Sequence, residues 1–286
     1  MMELSLGSPP QTVWSLVDTG SSDLWVHSPG SCERLPERCS ISGSFVASKS
    51  SSYRYLDSNF TIRYVSNDTA SGDYSTDVFR FGDFSVQNME FAVVYNTSSS
   101  VSVLGIGFPS REVAADSSKA EQYSNLPVRL REDGITASSA YSIYLDTDDT
   151  GRGSIVFGGL DLAKFCGELI TVPIPRVDDD QAQYTTVTVH GFEFDGQKIG
   201  KPGNVDCIFD TGAGLSFLPD DVMQALYDSL HVDEESRHPI APVPCTLRDS
   251  KQRLTINFAN DLAISFPMNA LVLFTTGSPD ATKPHQ

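Results

Sequence analysis

Twice in this chain an apolar pair runs into Asp-Thr-Gly and small residues, then back into apolar sequence. Ser15 to Val26 reads SLVDTGSSDLWV, and Cys207 to Leu218 reads CIFDTGAGLSFL. Each copy places a carboxylate, Asp18 or Asp210, directly behind what reads as the end of a buried strand. A buried ionised carboxylate is costly unless it is paired or heavily hydrogen-bonded. One copy in each half of the chain points to a common solution, in which the two groups share a site. Neighbouring Asp side chains do not both ionise cheaply, so one keeps a proton while the other acts as base. Such a pair can activate a water and protonate a peptide carbonyl without a metal or a covalent intermediate.

A third triplet, Asp149-Thr150-Gly151, sits in LDTDDTGRGSIVF. It follows Asp-Thr-Asp and runs on into Arg-Gly, as a solvated hairpin loop does. The run Asp146–Gly151 resembles the start of a calcium loop but lacks the distant acidic ligand, so no metal is expected.

Around the two motifs the chain reads as mainly β. FTIRYV, TDVFRFGDFSV, MEFAVVY, AYSIYL, GSIVFGG, YTTVTVHGFEF and LTINFA are β-branched and aromatic runs bounded by Gly, Ser, Asn and Asp. Two short helices are predicted. LPDDVMQALYDSLHV has Asp220 and Asp221 near its start and Val222, Met223, Leu226, Tyr227 and Leu230 on one face. SNLPVRLREDG has Pro127 in its first turn and Gly134 past its end. The stretch ITVPIPRVDDDQAQ, with two prolines and an acidic run, is the best linker. It divides the chain into a first part, 1–172, and a second, 173–286.

The 286 residues carry 37 Asp plus Glu against 20 Lys plus Arg, a net charge of −17. That balance argues against nucleic acid and anionic membranes as partners. It suits a protein working in acid, where many carboxylates lose their charge. No apolar run approaches the ~20 residues of a membrane span. Three sequons, at Asn59, Asn67 and Asn96, fit a secreted chain. Of the five cysteines, Cys32 and Cys39 bracket a short polar loop that a disulfide could close in an oxidising compartment. Cys166, Cys207 and Cys245 have no evident partners.

With the two motifs, further segments bring the chain close to a known family. They are LWV at Leu24–Val26, Tyr64 in FTIRYVSNDTASGDYSTD, VLGIGFPS, AYSIYL, GSIVFGGLDLAKFCGEL and the helix after the second motif. In this order they resemble the pepsin-type aspartic proteases. SVLGIGFPS and LPVRLREDGITASSAYSIYLD are similar to the fungal yapsin and candidapepsin branch. The resemblance implies a mainly β, bilobal fold and an endopeptidase active in acid, secreted or held at the cell surface, monomeric and without cofactor. The shared proton of paired aspartates is well known from this family.

Residue by residue, the resemblance makes Asp18 and Asp210 the catalytic pair. Thr19 and Thr211 would bridge the lobes beneath them, and Ser21 would hydrogen-bond Asp18. Gly20 and Gly212 would leave room for an extended peptide substrate in the interlobe cleft. Tyr64 would close over the peptide from a flap hairpin, its hydroxyl meeting the indole of Trp25.

Three departures stand against the family pattern. The family has another strand before MELSLGSPPQ, and a second apolar-apolar-Gly loop and closing strands beyond TTGSPDATKPHQ, where Cys245 would find its partner. The flap has Val65-Ser66-Asn67-Asp68 where a glycine-rich tip is usual. A glycan on Asn67 would crowd the cleft there, and Asp68 is open to two readings, a solvated tip or a partner for a substrate Lys or Arg. The second motif carries Ala213 and Gly214 where hydroxyl residues are common. A different class of function also fits, an inert pepsin-fold protein that binds peptides without cutting them.

Overall fold

The computed structural model describes residues 1–31, 41–113, 123–146, 152–175, 185–237 and 241–272. The Cys32–Cys39 pairing and the Asp149 triplet lie outside the described residues. The chain divides into two compact units, and the division does not follow the sequence. The first holds Met1–Cys166 together with Thr185 and the excursion Phe209–Gly214. The second is built on Gly167–Pro175, Thr186–Ile208 and the chain from Leu215 onward.

The mainly β reading is borne out in both units. In the first, β1 (Met2–Leu6), β2 (Gln11–Asp18), β3 (Leu24–His27), β4 (Arg54–Arg63), β5 (Thr69–Phe81), β6 (Phe84–Thr97) and β7 (Ser102–Gly105) form one sheet. Its order is β1-β2-β7-β3-β6-β5-β4, and it curls so that β1 also pairs with β5 at Leu6 and Phe79. Alternation decides which faces meet: Leu4, Leu6, Val13, Phe79, Val86, Met89, Phe91 and Leu104 all point into one core. Helix α1 (Leu126–Glu132) closes that core with Leu126 and Leu130. It begins with Pro127 in its first turn, and Gly134 follows its end at φ 72°, a left-handed value that suits glycine. The ribbon β8 (Tyr141–Leu145) and β9 (Gly153–Phe157) adds Tyr141, Ile143, Ile155 and Phe157 to the edge of this core.

A second cluster of the same unit lies under the β4–β5 hairpin. Trp25, Phe60, Ile62, Ala70, Tyr74, Ala92, Val94 and Val103 form it, with Tyr64 and Tyr123 packed against it.

In the second unit β10 (Thr186–Phe194) is the hub. It pairs with β11 (Gln197–Ile199), with β12 (Val205–Ile208) and with β13 (Arg253–Phe258), which in turn pairs with β14 (Ala263–Pro267). The alternation read in YTTVTVHGFEF is real, since Val187, Val189, Phe192 and Phe194 are buried. Helix α2 (Asp220–Ser229) buries Val222 and Leu226, and its first turn carries Asp220 and Asp221, favourable at the positive end of a helix.

Candidate active site

β2 delivers Asp18 to the end of the sheet, and the parallel pairing of β2 with β7 sets it beside Gly105. The loop after it is held by backbone bonds: Ile106 N donates to Asp18 O at 2.8 Å and Gly107 N to Ser21 O at 2.9 Å. The polar turn Thr19–Ser22 is therefore a fixed shelf. The Phe209–Gly214 excursion is tied to it through four hydrogen bonds. Thr19 Oγ1 donates to Phe209 O and Thr211 Oγ1 donates to Val17 O, both at 2.7 Å. Thr211 N donates to Thr19 Oγ1 at 3.0 Å and Thr19 N to Thr211 Oγ1 at 3.2 Å.

This clasp brings Asp18 and Asp210 within hydrogen-bonding reach of each other. Asp18 is 5% exposed and Asp210 is exposed. Asp18 accepts from Gly20 N at 2.8 Å and from the Ser21 hydroxyl, and Asp210 accepts from Gly212 N at 2.7 Å. Burial raises the Asp18 pKa first; the Ser21 bond opposes it, and the charge of Asp210 raises it further. Nothing equivalent to the Ser21 hydroxyl exists at Ala213.

The two glycines face a demand that the sequence did not suggest. A Cβ on Gly20 would lie 2.5 Å from Asp210 Oδ2, and one on Gly212 would lie 2.5 Å from Asp18 Oδ1. Each motif's glycine is thus the space into which the other motif's carboxylate fits.

Nearby, Trp25 Nε1 donates to Tyr64 Oη at 2.7 Å, and the indole is fully buried. The bond ties the turn end of the β4–β5 hairpin to β3. Beyond Tyr64 the chain turns at Asn67, φ 68°, and Val65 is 95% exposed. Asp68 is occupied at both carboxylate oxygens, by Ser66 Oγ at 2.8 Å and Ser98 Oγ at 3.0 Å.

A second carboxyl pair escaped the sequence reading. Asp23 follows the first motif, is fully buried, and accepts from Val113 N at 2.9 Å and Tyr123 Oη at 2.8 Å. Glu112 is 0% exposed and accepts from Tyr123 N at 3.0 Å, while its Oε1 has no partner among the described residues. Burial pushes Asp23 up to about 6. Burial, then the charge of Asp23, pushes Glu112 up to about 9. The signal for Asp23 was present: like Asp18, it is a carboxylate set against an apolar run, here Leu24-Trp25-Val26. For Glu112 no local signal exists.

A scan of the chain against family models matches "Eukaryotic aspartyl protease" over residues 1–281. The chain belongs to the eukaryotic aspartyl protease family. Among its relatives, "Probable aspartic-type endopeptidase opsB" of Aspergillus fumigatus is 35% identical over 264 residues, covering 90% of this chain and 54% of that protein. "Probable aspartic-type endopeptidase OPSB" of Arthroderma benhamiae is 36% identical over 280 residues, covering 94% and 56%. "Secreted aspartic protease 1" of Candida albicans is 31% identical over 289 residues, covering 97% and 70%. The chain spans about half the length of the first two. Fungal aspartyl proteases are thus its relatives, in line with the resemblance read from the motifs. Among the described residues no cluster of His, Cys, Asp and Glu could hold a metal ion. Among them, too, no helix is long and apolar enough to cross a membrane. Among the described residues Cys166 and Cys207 are free thiols.

Proposed function

We propose that this aspartyl protease family member is an acid endopeptidase whose catalytic groups are Asp18 and Asp210. The observation that carries the reading is the Thr19–Thr211 clasp, which sets two carboxylates side by side with Asp18 buried. The pair shares one proton, and burial together with the neighbouring charge favours its staying on Asp18. The exposed Asp210 then takes a proton from a water held between the carboxylates. The water oxygen bonds to the carbonyl carbon of the peptide as the Asp18 proton passes to the carbonyl oxygen. In the collapse Asp210 gives its proton to the nitrogen as the C–N bond breaks, and a hydroxyl of the tetrahedral species returns a proton to Asp18 as the product carboxyl forms, so the pair is singly protonated again.

Gly20 and Gly212 keep side chains out of the substrate's path, and Tyr64, fixed by Trp25, covers the extended peptide. A secreted or cell-surface location follows the printed names of the Candida relatives and the three sequons. A monomer acting on peptides in acid, without nucleic acid as partner, completes the reading.

The test is binding of a statine-type inhibitor, whose hydroxyl takes the place of the attacking water. Binding should raise the melting temperature of the wild type at pH 4–5, by ~2.7 kcal/mol of stability at a hundredfold excess over Kd. It should leave Asp18→Asn and Asp210→Asn unchanged. No stabilisation of the wild type would overturn the assignment.

A further inference from the structure

The three sequons take no part in the chemistry proposed above, and the sheet gives two of them, Asn59 and Asn96, a common place. Thr61 on β4 lies opposite Ser71 on β5, and Ser71 lies opposite Asn96 on β6. Residues directly opposite on antiparallel strands point to one face, as do residues two apart on a strand. Asn59, Thr61, Ser71 and Asn96 therefore share a face of the flap sheet. Asn59, Thr61 and Asn96 are exposed, whereas Phe60, Ile62 and Ala70 on the other face are buried in the cluster around Trp25. Strand spacing puts Asn59 and Asn96 roughly 12 Å apart, far enough for two separate sugar chains. Asn67 sits in the turn and belongs to neither face.

The same region has a liability that such a cover would relieve. β4 ends the sheet order and is ten residues long, with Tyr55 55% and Leu56 45% exposed. An edge strand of this length with exposed apolar side chains is a template for association with another chain. A bulky hydrophilic group at Asn59 blocks a second strand from docking there.

We propose that the outer face of the flap hairpin carries N-linked glycans at Asn59 and Asn96, which shield the β4 edge and leave the Trp25-facing side free. The proposal rests on the secreted reading given above. In the step itself the Asn Nδ2 displaces a polyprenyl pyrophosphate from C1 of the first sugar of a lipid-linked oligosaccharide. The C1–N bond forms as the C1–O bond breaks, the pyrophosphate leaves with the electron pair, and the amide loses one proton.

The experiment expresses the chain behind a secretion leader in a yeast host and collects protein from medium and from cells. Native protein is treated with peptide-N-glycosidase in heavy-oxygen water, and the peptides are mapped. The expected result is heavy-oxygen aspartate at both positions 59 and 96. An unmodified Asn59 or Asn96 in either fraction overturns the proposal. Modified protein found only in cells supports it and instead counts against the secreted reading. By sedimentation, wild type should be monomeric and the N59Q/N96Q variant should shift to dimer or larger. No shift would overturn the shielding role.

Discussion

Thr19 and Thr211 are each other's hydrogen-bond partners, each backbone N–H donating to the other's hydroxyl. Each hydroxyl passes its own proton on to a carbonyl of the opposite segment, Phe209 O and Val17 O. Both threonines are therefore donor and acceptor at once, a role that valine of the same shape cannot fill. Thr211→Val leaves Thr19 N and Val17 O without partners, at a cost of about 1–3 kcal/mol for a buried group so stranded. The expected outcome is a lower melting temperature and a fall in kcat of about a hundredfold, as the aspartates lose their alignment. Thr211→Ser, which keeps the hydroxyl, should recover most of both.

Stability should be greatest in mild acid. Asp23, raised from its ordinary 3.8 to about 6, takes up a proton more readily folded than unfolded. Its contribution is full below pH 3.8 and is lost as pH rises through 6, about 3 kcal/mol in all. Glu112, at about 9, and Glu90, at about 7, act with the same sign and extend the loss above neutrality. His27 acts on the other side. Burial lowers it from 6.5 to about 4, so stability falls as pH drops through that range. From pH 4.5 to 6 the three carboxyls outweigh the one imidazole, so melting temperature followed from pH 3 to pH 8 should be highest near pH 4 and fall above it. Glu112→Gln, uncharged throughout, should flatten the alkaline side, and an unchanged slope would rule Glu112 out as its cause.

The missing hydroxyl at Ala213 should show in the pH dependence of catalysis. Ser21 donates to Asp18, favouring its ionised form, while Ala213 offers Asp210 no such bond. Ala213→Thr supplies a donor and should move the alkaline limb of kcat/KM to lower pH, by roughly a unit or less. Movement upward, or none, would remove this position from the control of the pair.

At the flap, Tyr64→Phe strands the buried Trp25 N–H. Amide exchange in the β4–β5 hairpin should quicken, and KM for peptides should rise with a smaller change in kcat. Asp68→Ala should leave the cleavage-site profile as it is, since both oxygens of Asp68 brace the turn against Ser66 and Ser98. A loss of cleavage beside Lys or Arg in the variant would restore the substrate-pairing reading.

Much of this protein is set by local pattern. Period-two alternation marks β10, and Pro127 and Gly134 bracket α1. The repeated apolar-apolar-Asp-Thr-Gly layout singles out Asp18 and Asp210; the burial it suggests for both holds for Asp18 alone, since Asp210 and the strand before it are exposed. What no stretch can show is the far side of each contact. Gly20 is required by Asp210, Asp23 is satisfied by Val113 and Tyr123, and Glu112 loses solvent beside a buried carboxyl. The division into units cuts across chain order for the same reason, carrying Phe209–Gly214 to the unit that holds Asp18. Propensity and periodicity act between neighbours in sequence. Desolvation and charge act between neighbours in space, and only the folded chain decides who those neighbours are.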